Sequence, residues 1–225
     1  MSPLDNPVLA SLTGPHAHFA EQQGEVLRYP ADVSPFVALP DDPDEQAWRD
    51  LAALAGPGTT QIVAGPALAA PPGWPTLTGI PGVQMEGSNL TVAPDPEAVR
   101  LTDADVPEML DLVERTRPGP FLKRTIALGT YLGLRRDGAL VAMAGERFHA
   151  PGWTEISAVC TDPAFRGQGL AARLVRAVGA GIRARGEQPF LHAAEANTGA
   201  ICLYEAMGFR LNRKLVFTPI EVPGA

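Results

Sequence analysis

The chain has 225 residues, 45% of them hydrophobic and 19% charged, enough for a globular core, and no apolar run nears the roughly 20 residues of a membrane span. A formal net charge of -7 at pH 7 argues against nucleic acid as a main partner. Two cysteines, Cys160 and Cys202, are too few for a disulfide framework, and no Cys/His spacing fits a metal site.

The opening residues lack a basic end followed by an apolar block, so no signal peptide is expected and the default location is cytoplasmic. The charge is lopsided. Residues 1–98 hold two basic and twelve acidic residues, a net of -10, and residues 99–225 hold sixteen and thirteen, a net of +3. This contrast predicts an acidic α/β domain over 1–90, a Pro-rich linker over 91–99, and a second domain over 100–225.

In the first part, "DEQAWRDLAALAG" (44–56) predicts a short helix with Trp48, Leu51 and Leu54 on one face, stopped by Gly56. "TTQIVAG" (59–65) fits a strand, and "APPGWPTL" (70–77) must be loop because its prolines cannot donate to a ladder. His16 and His18, without further ligands, read as surface residues. This part carries no catalytic constellation.

The second part is clearer. Val106, Met109, Leu110 and Val113 fall at helical spacing within 101–116, with Thr102 and Asp103 as capping candidates. Two strands flank the tight turn Asp137-Gly138 within 129–148. A strand over 154–161 is followed by an amphipathic helix over 168–185, whose Leu170, Leu174, Val178 and Ile182 recur every four residues. Then come a strand at 189–194, a helix at 197–209 between Asn197 and Gly208, and a last strand at 210–220. That order predicts a mixed α/β (α+β) domain.

Between the strand at 154–161 and its helix lies "TDPAFRGQGLA". The first N–H groups of a helix have no internal partners, and glycine removes the Cβ that would hold a ligand away. Such a turn can hold a phosphate or diphosphate, with Arg166 as counter-charge. A tight turn that needs two glycines for its own geometry is the plainer alternative. "GQGLAA" also fits the dinucleotide pattern G-x-G-x-x-A, with Glu187 near the ribose-contact distance. That pattern, however, puts its first glycine directly after the strand, and here residues 162–166 intervene.

"RGQGLA" (Arg166–Ala171) resembles the R/Q-x-x-G-x-G/A signature of the GNAT superfamily of N-acetyltransferases. "ISAVCTDPAF" resembles the family's fourth strand and its turn, and "NTGAICLYEAMGF" its N-x-x-A-x-x-x-Y-x-x-x-G-F element. The likeness covers about residues 99–220, and the chain also looks like the glycine N-acyltransferase-like branch, with its extra N-terminal half. The resemblance implies a mixed sheet flanked by helices and acetyl-coenzyme A as co-substrate. It implies that backbone groups of Gly167, Gln168, Gly169, Leu170, Ala171 and Ala172 hold the diphosphate. It also implies that Val159, Cys160 and Thr161 pair with the pantetheine arm and that Asn197 contacts it. Asn197 serves equally well as a helix cap.

Transfer to an amine needs a deprotonated nitrogen, a donor for the developing oxyanion and a proton for the leaving thiolate. Tyr204 matches the family tyrosine that supplies the proton, and an N–H near Val159 is the expected oxyanion donor. Glu155 or His192 can act as the base. The first can equally be a solvated strand-end carboxylate and the second a core histidine. Glu195 reads as exposed. Covalent catalysis by Cys160 is disfavoured, since no histidine is adjacent to activate it. The expected function is direct acetyl transfer to a primary amine, whether small amine, amino acid or peptide amine, in a ternary complex. A non-catalytic acyl-coenzyme A-binding module is the alternative, against which Asn197 and Tyr204 together argue. The loops around 117–125 and 148–153 are expected to choose the acceptor.

Overall fold

A computed structural model describes residues 2–75 and 77–224; Thr76, inside the stretch expected as loop, lies outside them. The chain opens with helix α1 (Pro7–Leu12), whose Asn6 Oδ1 accepts from the Leu9 N–H at 3.0 Å. Three short strands follow, β1 (Glu21–Gln23), β2 (Val26–Arg28) and β3 (Val37–Ala38), in a small antiparallel sheet. Helix α2 (Glu45–Ala55) is capped by Asp44 and ends at Gly56, one residue inside each sequence-derived limit.

Strands β4 (Thr60–Gly65) and β5 (Ile80–Glu86) come next. Beyond them lie β6 (Val99–Arg100), helix α3 (Val106–Thr116), the hairpin β7 (Tyr131–Arg136) and β8 (Ala139–Ala150), and β9 (Trp153–Thr161). The chain ends with helix α4 (Leu170–Ala184), β10 (Gln188–Ala194), helix α5 (Thr198–Ala206) and β11 (Arg210–Glu221). Thr102 and Asp105 form a capping box before α3. Asp137 and Gly138 both have positive φ, as a two-residue hairpin turn requires.

Eight strands form one sheet in the order β4-β11-β5-β10-β9-β8-β7-β6. Among the described strands only β9 and β10 run parallel, and the crossover between them is helix α4. Strands β4 and β5 come from the acidic first part, and β5 lies between β11 and β10. The composition boundary at 91–99 therefore does not separate two sheets. Nor is that segment free in solvent: Asp95 accepts two bonds from Arg173 on α4, at 2.6 and 2.8 Å.

Strand alternation divides the core by face. On one face Val83, Met85, Ile156 and Leu191 pack against Leu170, Leu174, Val178 and Ile182 of α4 and against Tyr204 of α5. Each of these buried aliphatic side chains contributes about 1.5–3 kcal/mol. On the other face α3 covers Tyr131, Met143 and Cys160. The first 40 residues cover the rest of that face, setting Leu4, Val8, Leu12, Tyr29 and Phe36 on Phe148, Phe190 and Leu215. His16 belongs to this layer and is buried, contrary to the surface position expected; its ring nitrogens lie 3.0 Å from Tyr29 Oη and 3.1 Å from Leu128 O. His18 is exposed, as expected.

Gly145 on β8 marks a tight crossing. A Cβ there would lie 2.2–2.4 Å from three atoms of the Tyr131 ring, which crosses over it. Gly145→Ala is expected to cost about 1–3 kcal/mol by overpacking, read as a lower midpoint in urea unfolding. An unchanged midpoint would mean that the ring has room to move aside.

Candidate active site

The site begins where β9 and β10 part. Their parallel register runs from Trp153↔Gln188 to Ile156↔Leu191 and stops, although β9 continues to Thr161 and β10 to Ala194. At that point β9 also slips against β8: Ser157 pairs with Gly145 and Cys160 with Met143, so one extra residue is fitted into β9. Ala158 takes the left-handed conformation there, with φ +53, unusual for a residue with a Cβ. Such a bulge leaves a backbone group outside the ladder and re-aims the strand.

Past the bulge Val159 and Thr161 are half-buried, while the Cys160 side chain turns inward under α3. Burial above all pushes the Cys160 thiol up to about 11, against hydrogen bonds with Thr116 and the Met143 backbone and the Arg115 charge. Cys160 therefore offers the cleft its backbone and not a thiolate.

The turn after β9 is held by Asp162, whose Oδ1 accepts from the Ala164 N–H at 2.9 Å and whose carboxylate also pairs with Arg115. Gly167 and Gly169 have φ of +78 and +73, and a Cβ added at either would meet nothing within 4 Å. They are thus required by backbone conformation, and the space above them is open. The first N–H bonded in the helix ladder is that of Arg173, to Gly169 O at 3.1 Å. Those of Gly167, Gln168, Gly169, Leu170, Ala171 and Ala172 have no partner among the described residues. All six lie at the positive end of the 15-residue helix α4. Arg166 is exposed beside them, its Nε 3.4 Å from Thr161 O.

Across the cleft, Asn197 caps α5, its Oδ1 accepting from the Ala200 N–H at 3.3 Å, and its amide N–H groups have no partner among the described residues. Tyr204 is 7% exposed and its ring packs edge-on against Phe209. Its hydroxyl makes no hydrogen bond among the described residues and is not among the sealed polar atoms. Burial first, then the proximity of Cys160, pushes the phenol up to about 12, so it keeps its proton at neutral pH.

The opposite face of the parting strands carries a buried polar chain. Glu155 is fully buried rather than solvated, and Arg147 clamps it with Nε and Nη2 at 2.7 and 2.6 Å. His192 Nδ1 lies 2.6 Å from the same carboxylate, so the two expected base candidates touch. Gln84 Nε2 bonds both Leu4 O, at 3.0 Å, and His192 Nε2, at 3.1 Å. An atom facing a carbonyl must be the amide nitrogen, so His192 Nε2 accepts and Nδ1 donates to Glu155. Gln84 Oε1 in turn accepts from Asn212 Nδ2 at 2.6 Å. The Arg147 guanidinium lies 4.7 Å from the ring centres of both Phe36 and Phe148. A cavity of about 110 Å³ opens beside this chain, with His192, Gln84, Asp5 and Arg213 in its wall.

Sequence reasoning found Glu155 and His192 but neither Arg147 nor Gln84. Arg147 had one usable signal: with Glu146 and His149 it puts polar side chains into a strand whose other residues are apolar or small. Gln84 had none, since its strand was not recognised. Glu195 is half-buried and pairs with Lys214 at 2.5 Å.

Comparison with known proteins gives a consistent picture. Residues 131–218 match the family model described as FR47-like protein. A mycothiol acetyltransferase of Thermobispora bispora is 40% identical over 81 residues, which is 33% of this chain and 28% of that protein, so the match spans under a third of the curated relative. A solved structure of a putative acetyltransferase from the GNAT family of Novosphingobium aromaticivorans is 40% identical, covers 99% of both chains and superposes with a TM-score of 0.90. A GCN5-related N-acetyltransferase from Kribbella flavida, 18% identical over 97% of this chain and 96% of that one, has a TM-score of 0.63 and shares the fold.

Burial acts most strongly on the Glu155 carboxyl and would raise it. The Arg147 charge, His192 and the hydrogen bonds from both overcome this and hold it down at about 2, from an ordinary 4.5. With the folded value below the unfolded one, ionised Glu155 stabilises the fold fully above about pH 4.5 and ceases to as the pH falls through 2. Glu155→Gln, which strands the Arg147 charge, is expected to cost about 3–5 kcal/mol at pH 7. In urea unfolding the gap to wild type should narrow between pH 4.5 and pH 2; a gap independent of pH would show that the ion pair is not its source.

Proposed function

The chain belongs to the GNAT family of acetyltransferases, and from that membership we propose that it transfers the acetyl group of acetyl-coenzyme A directly to a primary amine in a ternary complex. The observation that carries this reading is the row of six unpartnered N–H groups from Gly167 to Ala172, opened by two positive-φ glycines and set beside the parted strands. Backbone donors at a helix start suit a diphosphate, and Arg166 adds charge. When bound, the co-substrate supplies an activated acetyl thioester.

The chain's own groups divide the work. Main-chain atoms of Val159, Cys160 and Thr161, beyond the end of the β9/β10 ladder, are free to pair with the pantetheine arm, and the Asn197 amide can donate to it. An N–H released by the bulge near Val159 faces negative charge developing on the carbonyl oxygen. The Tyr204 hydroxyl, protonated at neutral pH as a phenol ordinarily is, delivers a proton to the departing sulfur.

On the acceptor side His192 takes the amine proton. Its Nε2 lone pair is now held by a Gln84 N–H, and an incoming ammonium is also an N–H donor, so the exchange leaves the ring tautomer unchanged. Glu155 does not act as the base itself: both of its oxygens are engaged and its carboxylate is far too weak a base. It holds the His192 ring and fixes which nitrogen carries the hydrogen. Among the described residues no helix is long and apolar enough to cross a membrane.

Two measurements test the proposal. Acetyl-coenzyme A at 100 times its Kd should stabilise the protein by about 2.7 kcal/mol, seen as a higher Tm, while NAD leaves it unchanged. Valine at both Gly167 and Gly169 should abolish that shift, since a β-branched residue does not tolerate positive φ. Tyr204→Phe should lower kcat on the order of 100-fold at nearly constant KM for acetyl-coenzyme A. Binding of acetyl-coenzyme A without thiol release on any amine would replace this reading with that of a non-catalytic module.

A further inference from the structure

The acetyl-transfer scheme places the amine at His192 but names no path to it. The His192 side chain is 2% exposed, so bulk solvent does not reach the ring directly. The cavity of about 110 Å³ does, since His192 and Gln84 stand in its wall. The rest of that wall comes from the start of α1, the end of β4 and residues 213–215 of β11. Neither of the loops expected to choose the acceptor, 117–125 and 148–153, takes part in it.

Strand register shows what the cavity connects. His192 on β10 pairs with Gln84 on β5, and Gln84 pairs with Arg213 on β11, so the three share one face in a row. With neighbouring strands about 4.8 Å apart, the row runs about 10 Å from the apex of the parted strands to Arg213. There the wall meets solvent, with the Arg213 and Asp5 side chains 38% and 40% exposed. Arg213 Nη1 donates to Asp5 O at 2.8 Å and its Nη2 lies 3.3 Å from Asp5 Oδ1, which ties β11 to the segment before α1 beside the opening. The rest of the face is occupied. Val8 and Leu12 of α1, with Tyr29 and Phe36, pack onto Phe148 and Phe190. The N-terminal layer thus fills the strip of sheet on which an extended peptide would lie.

We propose that this cavity is the acceptor pocket, and that the acceptor is a small free amine and not the terminus or a lysine of a polypeptide. Its size supports this. A cavity of about 150 Å³ takes a benzene ring, and clefts for drug-sized ligands run to about 300–1,000 Å³. At about 110 Å³ the pocket takes roughly five non-hydrogen atoms between the base and the mouth. The amine nitrogen takes the end at His192 Nε2 in place of the Gln84 N–H, while Gln84 keeps its bond to Leu4 O. A longer chain behind that nitrogen meets the N-terminal roof or the Arg213–Asp5 tie. The inference rests on the acetyl-transfer reading and narrows its acceptor class.

The test uses matched acceptors with acetyl-coenzyme A: short alkyl amines and the amides of glycine and alanine, against tetrapeptides that begin with glycine or alanine. The wild-type enzyme should favour the small members at least about tenfold in kcat/KM. Ala64 lines the cavity from β4, and a leucine there should occupy much of it. Ala64→Leu should raise KM for the small amines at least about tenfold and leave the Tm shift given by acetyl-coenzyme A unchanged. Arg213→Ala removes an exposed tie that carries little stability, and should narrow the preference for small amines at least about threefold. Equal turnover of small amines and peptides by the wild type overturns the proposal, as does an acceptor KM unmoved in Ala64→Leu. If Ala64→Leu lowers the Tm of the free protein, Arg213→Ala decides instead, and an unmoved preference there overturns the proposal. If acetyl-coenzyme A fails to shift the wild-type Tm, or shifts it without thiol release on any amine, the transfer reading falls and this inference with it. A normal shift with peptides turned over as well as small amines removes this inference alone.

Discussion

The short parallel ladder between β9 and β10 is the constraint from which the rest of the site follows. Backbone N–H and C=O groups away from water demand partners, and strands satisfy them by pairing. Here pairing ends after Ile156 and Leu191, with residues still to run on both strands. The bulge at Ala158 makes the departure from regular pairing a built feature, since it fixes a strained backbone conformation at the place where the two strands separate. An opening of this kind carries unused main-chain groups on both sides, and helix α4 adds its own unpaired N–H groups at the far end. A thioester with a long polar arm and a charged tail is the kind of ligand that such an arrangement accommodates.

The two faces at the opening differ in chemistry. Towards α4 and α5 the side chains are apolar, and Tyr204 contributes a buried phenol. Towards the N-terminal layer the sheet carries Arg147, Glu155, His192 and Gln84 in one connected chain. Buried charges are tolerated only when paired and hydrogen-bonded, and here every link has a partner. The first 40 residues make this possible. Phe36 stacks on the guanidinium and Leu4 O orients Gln84, so a segment far away in sequence dictates the tautomer of His192.

What could be read from the sequence was what local physics determines. Asp137-Gly138 specified a hairpin because few residues accept positive φ, and the four-residue spacing from Leu170 to Ile182 specified a helix with one buried face. Gly167 and Gly169 could be singled out for the same conformational reason. Strand β5 escaped because Pro81 and Gly82 oppose a strand locally; the pairing with β10 and β11 that overrides them is invisible in a linear sequence. His16 was misplaced because its burial depends on Tyr29 and the Leu128 carbonyl, which no spacing announces. Glu155 was identified as a candidate, but its role could not be chosen until Arg147 was found beside it.

The position of β5 bears on how the chain can assemble. Residues 80–86 wait for neighbours made of residues 188–194 and 210–217, so the sheet cannot close until nearly the whole polypeptide has left the ribosome. Contacts of such long range slow folding, because loop entropy is lost before they form. A nascent chain ending before β11 would expose two open strand edges, on β5 and β4, each a template for association with other chains. The acidic character of the first part acts as protection in that interval, as mutual repulsion keeps unfinished copies apart.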